Sequence, residues 1–144
     1  MHTTRIRLTG TAVGILAAWV IDLAILVVAN IGAPVRVVTG WAPDGADLTV
    51  IEIVLTAAVA IAVAGGALML WDRRSARALE HWTVAVMVLA ALSALPLWGL
   101  DVETGSKVAL TVMHLATGGC AVLGQRSRAA RAAAPGTSPQ PVGP

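Results

Sequence analysis

Three ionisable side chains stand inside stretches otherwise suited to lipid: Asp22 in "AAWVIDLAIL", Glu52 in "TVIEIVLTAA" and His114 in "LTVMHLATG". A charge near the centre of a membrane helix costs about 2.5 to 3.5 kcal/mol even on the lenient insertion scale, so such groups are expected to face inward and to pair with one another or with water. Two carboxyls and an imidazole around a partly dry site are the equipment of proton transfer. Asp22, His114 and Glu52 are therefore the candidate catalytic residues.

Each of the three extends into a polar stripe at helical spacing. Lys107, Thr111, His114 and Gly118 fall on one helix face, as do Thr49, Glu52 and Thr56, and as do Trp19, Asp22 and Asn30. At 1.5 Å per residue, Asp22 lies roughly 12 Å below Asn30, His114 roughly 10 Å below Lys107, and Glu52 roughly 6 Å below Leu48. All three then sit in one half of the membrane, within about one helical turn of each other. The arrangement predicts a polar pocket open to the outside. Asp22 and His114 form its floor, Glu52 and Lys107 stand nearer its mouth, Trp19 and Trp98 supply walls, and Asn30, Thr56 and Thr111 add polar lining. A purely structural account stands beside this one. In it Asp22 pairs with His114 to fix helix register, Glu52 is hydrated at the interface, Lys107 snorkels to headgroups, and Cys120 packs as a small apolar residue.

The elements that must position these groups follow from composition. Of 144 residues, 57% are hydrophobic and 12% charged, and the mean hydropathy is +0.80, far from the balance of a water-soluble domain. Four apolar runs, 10–31, 48–71, 82–100 and 107–124, are each about long enough to cross a hydrocarbon core. The first reads as an uncleaved anchor rather than a signal peptide. The expected fold is all-α, an integral membrane four-helix bundle in one domain. Arg5, Arg7, Arg73, Arg74, Arg77, Arg126, Arg128 and Arg131 fall on one side and only Arg36 and Lys107 on the other, which predicts both termini in the cytoplasm of a multi-pass plasma-membrane protein. Trp41, Trp71, Trp82 and Trp98 fall near the expected interfaces; Trp19 does not.

Local signals refine this outline. The basic link "DRRSARALEH" makes spans 2 and 3 antiparallel neighbours, and the link between spans 3 and 4 is shorter still. In the first outer link, "VRVV" reads as a brief extended element capped by an "APDG" turn. Gly14 with Ala18, Gly65 with Gly66 and Gly118 with Gly119 supply the small residues on which helix packing in lipid depends. Pro96 predicts a kink in "SALPLW" that frees a carbonyl near Leu92. Residues 125–144 are basic at first and then rich in Pro, Gly and Ser, the composition of a disordered tail.

Several chemistries are excluded. Cys120 is the single cysteine, so one chain holds no disulfide, no CxxC pair and no cysteine metal site. His2 and His81 lie far from His114, which argues against a haem. No HExxH, GxSxG or P-loop occurs, so no metal or cofactor is expected. No basic stripe interleaved with aromatics suggests nucleic acid. Three classes of function remain open. One is an intramembrane enzyme acting on a small lipophilic molecule through Asp22 and His114. Another is a proton-coupled carrier built as a homo-oligomer, and the third is a non-catalytic accessory protein whose polar groups specify helix pairing. Membrane lipid is the partner common to all three.

The inner link "DRRSARALEHWTV", the following "LSALPLWGL" and "LTVMHLATG" in the last span resemble a family of small actinobacterial four-span membrane proteins catalogued as domain of unknown function 6069. The likeness covers most of residues 8–124. It implies the four-span fold and a membrane location and carries no activity.

Overall fold

The computed structural model describes residues 2–31, 34–39 and 42–133. It contains four helices, α1 (His2–Ala29), α2 (Val50–Asp72), α3 (Ala78–Ala94) and α4 (Thr104–Ala133), with a short hairpin of β1 (Arg36–Thr39) and β2 (Ala42–Asp47) between α1 and α2. No proline interrupts any of the four helices. Each of them therefore satisfies its interior backbone within the helix, as lipid favours. All four are long and apolar enough to cross a membrane, counting Leu95–Gly99 with α3. The protein is an all-α membrane-type bundle.

α4 is the central element. Half of its apolar window (50%) is buried inside the bundle, against 11% for α3, so α3 presents most of its surface outward. α1 packs along α4 through a ridge at every fourth residue, Gly10, Gly14, Ala18, Asp22 and Leu26, all buried. A Cβ on Gly14 would meet the Cys120 carbonyl at 3.0 Å, and one on Gly124 would meet the backbone of Gly10 and Gly14. The two helices therefore approach backbone to backbone, the packing that small residues permit in lipid. Gly118 instead makes room for the Ala90 side chain of α3, and Gly65 for the Thr11 side chain of α1. Gly66 and Gly119 have no such neighbour.

Two clusters fill the interior. Ala18, Ala57, Ile61, Leu68, Trp82 and Cys120 belong to the one toward the chain termini. Leu26, Val35, Ile53, Ala109, Leu110 and Met113 form the other, toward the hairpin. The hairpin is antiparallel, with Arg36 opposite Asp47 and an irregularity between Val37 and Thr39. "VRVV" is thus extended as expected, but "APDG", expected to turn, starts the second strand. The hairpin base is tied down by Val35 N–H donating to Asn30 Oδ1 at 2.9 Å and Arg36 N–H to Ser106 Oγ at 3.1 Å.

Pro96 ends α3 rather than kinking it. It opens the 3-10 turn Leu95–Gly99, where its missing N–H is no loss, and the Leu92 carbonyl accepts from Leu95 N–H. α1 starts well before residue 10, and α4 continues to Ala133 beyond Gly124. Trp41 and residues 134–144 lie outside the described residues.

Candidate functional site

Asp22 is 2% exposed, on the face of α1 that meets α4. Its Oδ2 accepts a hydrogen bond of 2.7 Å from Thr117 Oγ1. Its Oδ1 is buried without a hydrogen-bond partner. A buried polar atom left unpaired is costly; Arg7 Nη1 and Gln125 Oε1 are the other two such atoms among the described residues. His114 lies one helical turn from Thr117 on α4, close enough to act electrostatically on Asp22, though the two form no ion pair. The His114 Nδ1 is 2.8 Å from the Leu110 carbonyl. A carbonyl can only accept, so in this contact Nδ1 is the donor. Cys120, one turn beyond Thr117 along α4, is buried.

The other expected pocket residues are engaged elsewhere. Glu52 closes a capping box at the start of α2. The Thr49 hydroxyl accepts from Glu52 N–H, and Glu52 Oε2 accepts from Thr49 N–H at 2.8 Å. This reciprocal pairing satisfies two free donors of a helix start, and Glu52 itself is exposed. Thr56 donates back to the Glu52 carbonyl at 2.6 Å, and Thr111 donates to the Lys107 carbonyl at 2.8 Å. The Lys107 ammonium reaches the carbonyl of Trp98 at 3.5 Å, and the Trp98 ring is exposed. Asn30 holds the hairpin base. Trp19 turns to α2, donating from Nε1 to the Val54 carbonyl at 3.0 Å. Among the described residues, none of these seven shares a hydrogen bond or ion pair with Asp22.

The approach to Asp22 from the hairpin end is apolar. One turn toward the hairpin from Asp22 and Thr117 lie Leu26 and Met113, buried with Leu110 and Val35. The outward polar pocket expected from the stripes is therefore not what these side chains build. Residues sharing a helix face need not share a partner, because a face about 100° wide is divided between two neighbouring helices. Trp82, near the start of α3, faces into the bundle. It is 2% exposed and donates from Nε1 to the Ala64 carbonyl at 2.7 Å, linking α3 to α2.

A second polar group, at the end of the bundle that holds the termini, was missed from sequence. Arg7 Nε donates to Asp72 Oδ2 at 2.7 Å and its Nη2 to Oδ1 at 3.1 Å, a two-pronged pair between α1 and α2 whose side chains are 10% and 18% exposed. Gln125, 1% exposed, donates from Nε2 to the Arg7 carbonyl and to Thr11 Oγ1. The stripe through Lys107, Thr111, His114 and Gly118 continues at the same spacing to Gln125, which was the available signal. Thr117, three residues after His114, was legible by the same rule. No group of three metal-ligating side chains occurs among the described residues.

A family model described as a family of unknown function (DUF6069) matches residues 2–131. The chain belongs to that family. The resemblance carried by "DRRSARALEHWTV", "LSALPLWGL" and "LTVMHLATG" is thus confirmed over nearly the whole described chain. No curated protein and no solved structure matches it. In this DUF6069 chain Asp22, Thr117, His114 and the group around Arg7 all fall within the matched stretch.

Proposed function

We propose that this multi-pass membrane protein handles a small lipophilic molecule by proton transfer at Asp22, with Thr117 and His114 as its partners. One observation carries the reading: Asp22 is buried at the α1 and α4 contact with Oδ2 bonded to Thr117 and Oδ1 bonded to nothing. A carboxyl so placed is held at a cost to the fold, which is the mark of a working group. His114, one turn from Thr117 on α4, is the second titratable side chain of this reading. The excess of arginines at the terminal end supports a plasma-membrane orientation with both termini in the cytoplasm, which reporter fusions at either terminus test.

A second reading, a non-catalytic accessory protein, is favoured by the uses of the remaining interior polar groups. Trp19, Trp82, Arg7 and Gln125 all link one helix to another, and Asp22 with Thr117 would be one more such link. Thermal unfolding of Asp22→Asn in a single detergent separates the two. The near-isosteric amide keeps an acceptor for Thr117 and removes the charge. The proton-transfer reading expects an unchanged or higher melting temperature. A loss of stability above about 2 kcal/mol, the scale of a broken buried network, would establish Asp22 as a structural link.

A further inference from the structure

Along the outward side of the contact between α1 and α4 runs an open groove with a volume of about 460 Å³, within the range of small-molecule sites. Val13, Ala17 and Ile21 form one wall and Leu123 part of the other, and toward the terminal end the groove passes Arg126 and Ser127 and reaches Ala130. From Val13 to Ile21 it follows α1 for eight residues, roughly 12 Å at the helical rise. Its walls offer no aromatic ring and almost no hydrogen-bonding atoms, so they suit a flexible hydrocarbon chain rather than a ring system with polar substituents. The floor is open because α1 and α4 meet there through Gly14 and Gly124.

The polar end has one sign of charge. Arg126 is exposed and donates from Nε to Thr83 Oγ1 at 3.4 Å. No carboxylate of the described residues lies within ion-pair distance of it. The same end of the bundle carries Arg5, Arg73, Arg74, Arg77, Arg128 and Arg131, against Asp72, already committed to Arg7, and Glu80. An apolar trough along the membrane normal that passes an uncompensated guanidinium toward its terminal end is complementary to a chain with an anionic head. We propose that the groove binds one acyl chain of an anionic phospholipid from the leaflet at the terminal end, with the phosphate held by Arg126; the neighbouring Ser127 hydroxyl donates to the Gly124 carbonyl at 3.2 Å. This site is independent of any proton carried by Asp22.

The test is native mass spectrometry of the full chain released from detergent. The protein is titrated with phosphatidylglycerol or phosphatidylcholine of matched chains, and the melting temperature of each variant is recorded. The wild type should retain phosphatidylglycerol at least about fivefold better, the value of one arginine at an anionic surface. Arg126→Gln should abolish that preference, while Arg74→Gln, at the same end but outside the groove, should leave it intact. Ala17→Leu should fill the groove and reduce retention of both lipids. Ala130→Leu, at the exposed end of the groove, serves if Ala17→Leu fails to fold. Equal retention of the two lipids by the wild type would overturn the proposal. Equal losses in Arg126→Gln and Arg74→Gln would overturn it too, by showing diffuse surface attraction. A dimer that disappears on filling the groove would overturn it by identifying the occupant as a second copy of the chain.

Discussion

Gly124→Ala tests whether the close crossing of α1 and α4 holds the bundle together. The added methyl would fall against the Gly10 carbonyl, 2.8 Å from Gly14 N and 3.0 Å from Gly14 Cα. All three are backbone atoms, so no side-chain rotation relieves the contact. Ordinary van der Waals separation is 3.5 to 4.0 Å, and α1 must retreat by about 1 Å. Overpacking of this kind costs about 1 to 3 kcal/mol, and the retreat also stretches the bonds of Asp22 to Thr117 and of Gln125 to Arg7 and Thr11. Against this, alanine is intrinsically better than glycine in a helix by up to about 1 kcal/mol. The net expectation is a loss of about 1 to 2 kcal/mol. Gly119→Ala is the matched control. It lies in the same helix with no heavy atom within 4 Å of the added Cβ, so only the propensity gain applies and stability should hold or rise. Thermal unfolding of both variants in one detergent, followed by helical circular dichroism, gives the comparison. If Gly124→Ala unfolds with Gly119→Ala or above it, the crossing does not have the geometry described.

Three further outcomes are expected. Asp72→Asn and Arg7→Gln should each destabilise by about 3 kcal/mol, because each strands one partner of a mostly buried pair; a double-mutant cycle with coupling near zero would show that the two do not act together. Trp82→Phe removes the bond to Ala64 and part of a buried ring, and should cost about 1 to 3 kcal/mol in the same unfolding assay. Thr49→Ala should cost about 1 kcal/mol through the lost cap of α2, whereas Glu52→Gln, which can keep the capping box, should leave the melting temperature in place; a large loss in Glu52→Gln would mean that its charge has another role.

The four spans were legible because crossing lipid imposes a length and an apolar composition that few other constraints can mimic. The partners of the polar residues were not. Trp19 and Asp22 share a face by spacing, yet α2 takes the indole and α4 the carboxyl. Nothing in one helix's periodicity says where the boundary between two neighbours falls. Glu52 was readable from "TVIE", a threonine three residues before a glutamate at the head of an apolar run, but its place in a polar stripe drew attention to chemistry instead. The ridge of Gly10, Gly14, Ala18, Asp22 and Leu26 was also present in the sequence. Its meaning depended on the antiparallel register of α4, which sets Gly124 against Gly10 and Thr117 against Asp22.

That register joins α1 to a helix that is synthesised only after the two spans between them. Until α4 is synthesised, Asp22 has no hydroxyl to bind and the glycine ridge of α1 faces lipid. Arg7 can still find Asp72, since α2 follows early. With only the first three spans made, that seam is half finished and its carboxyl is unaccompanied. Termination before Thr117 would leave those spans without the helix they are built around.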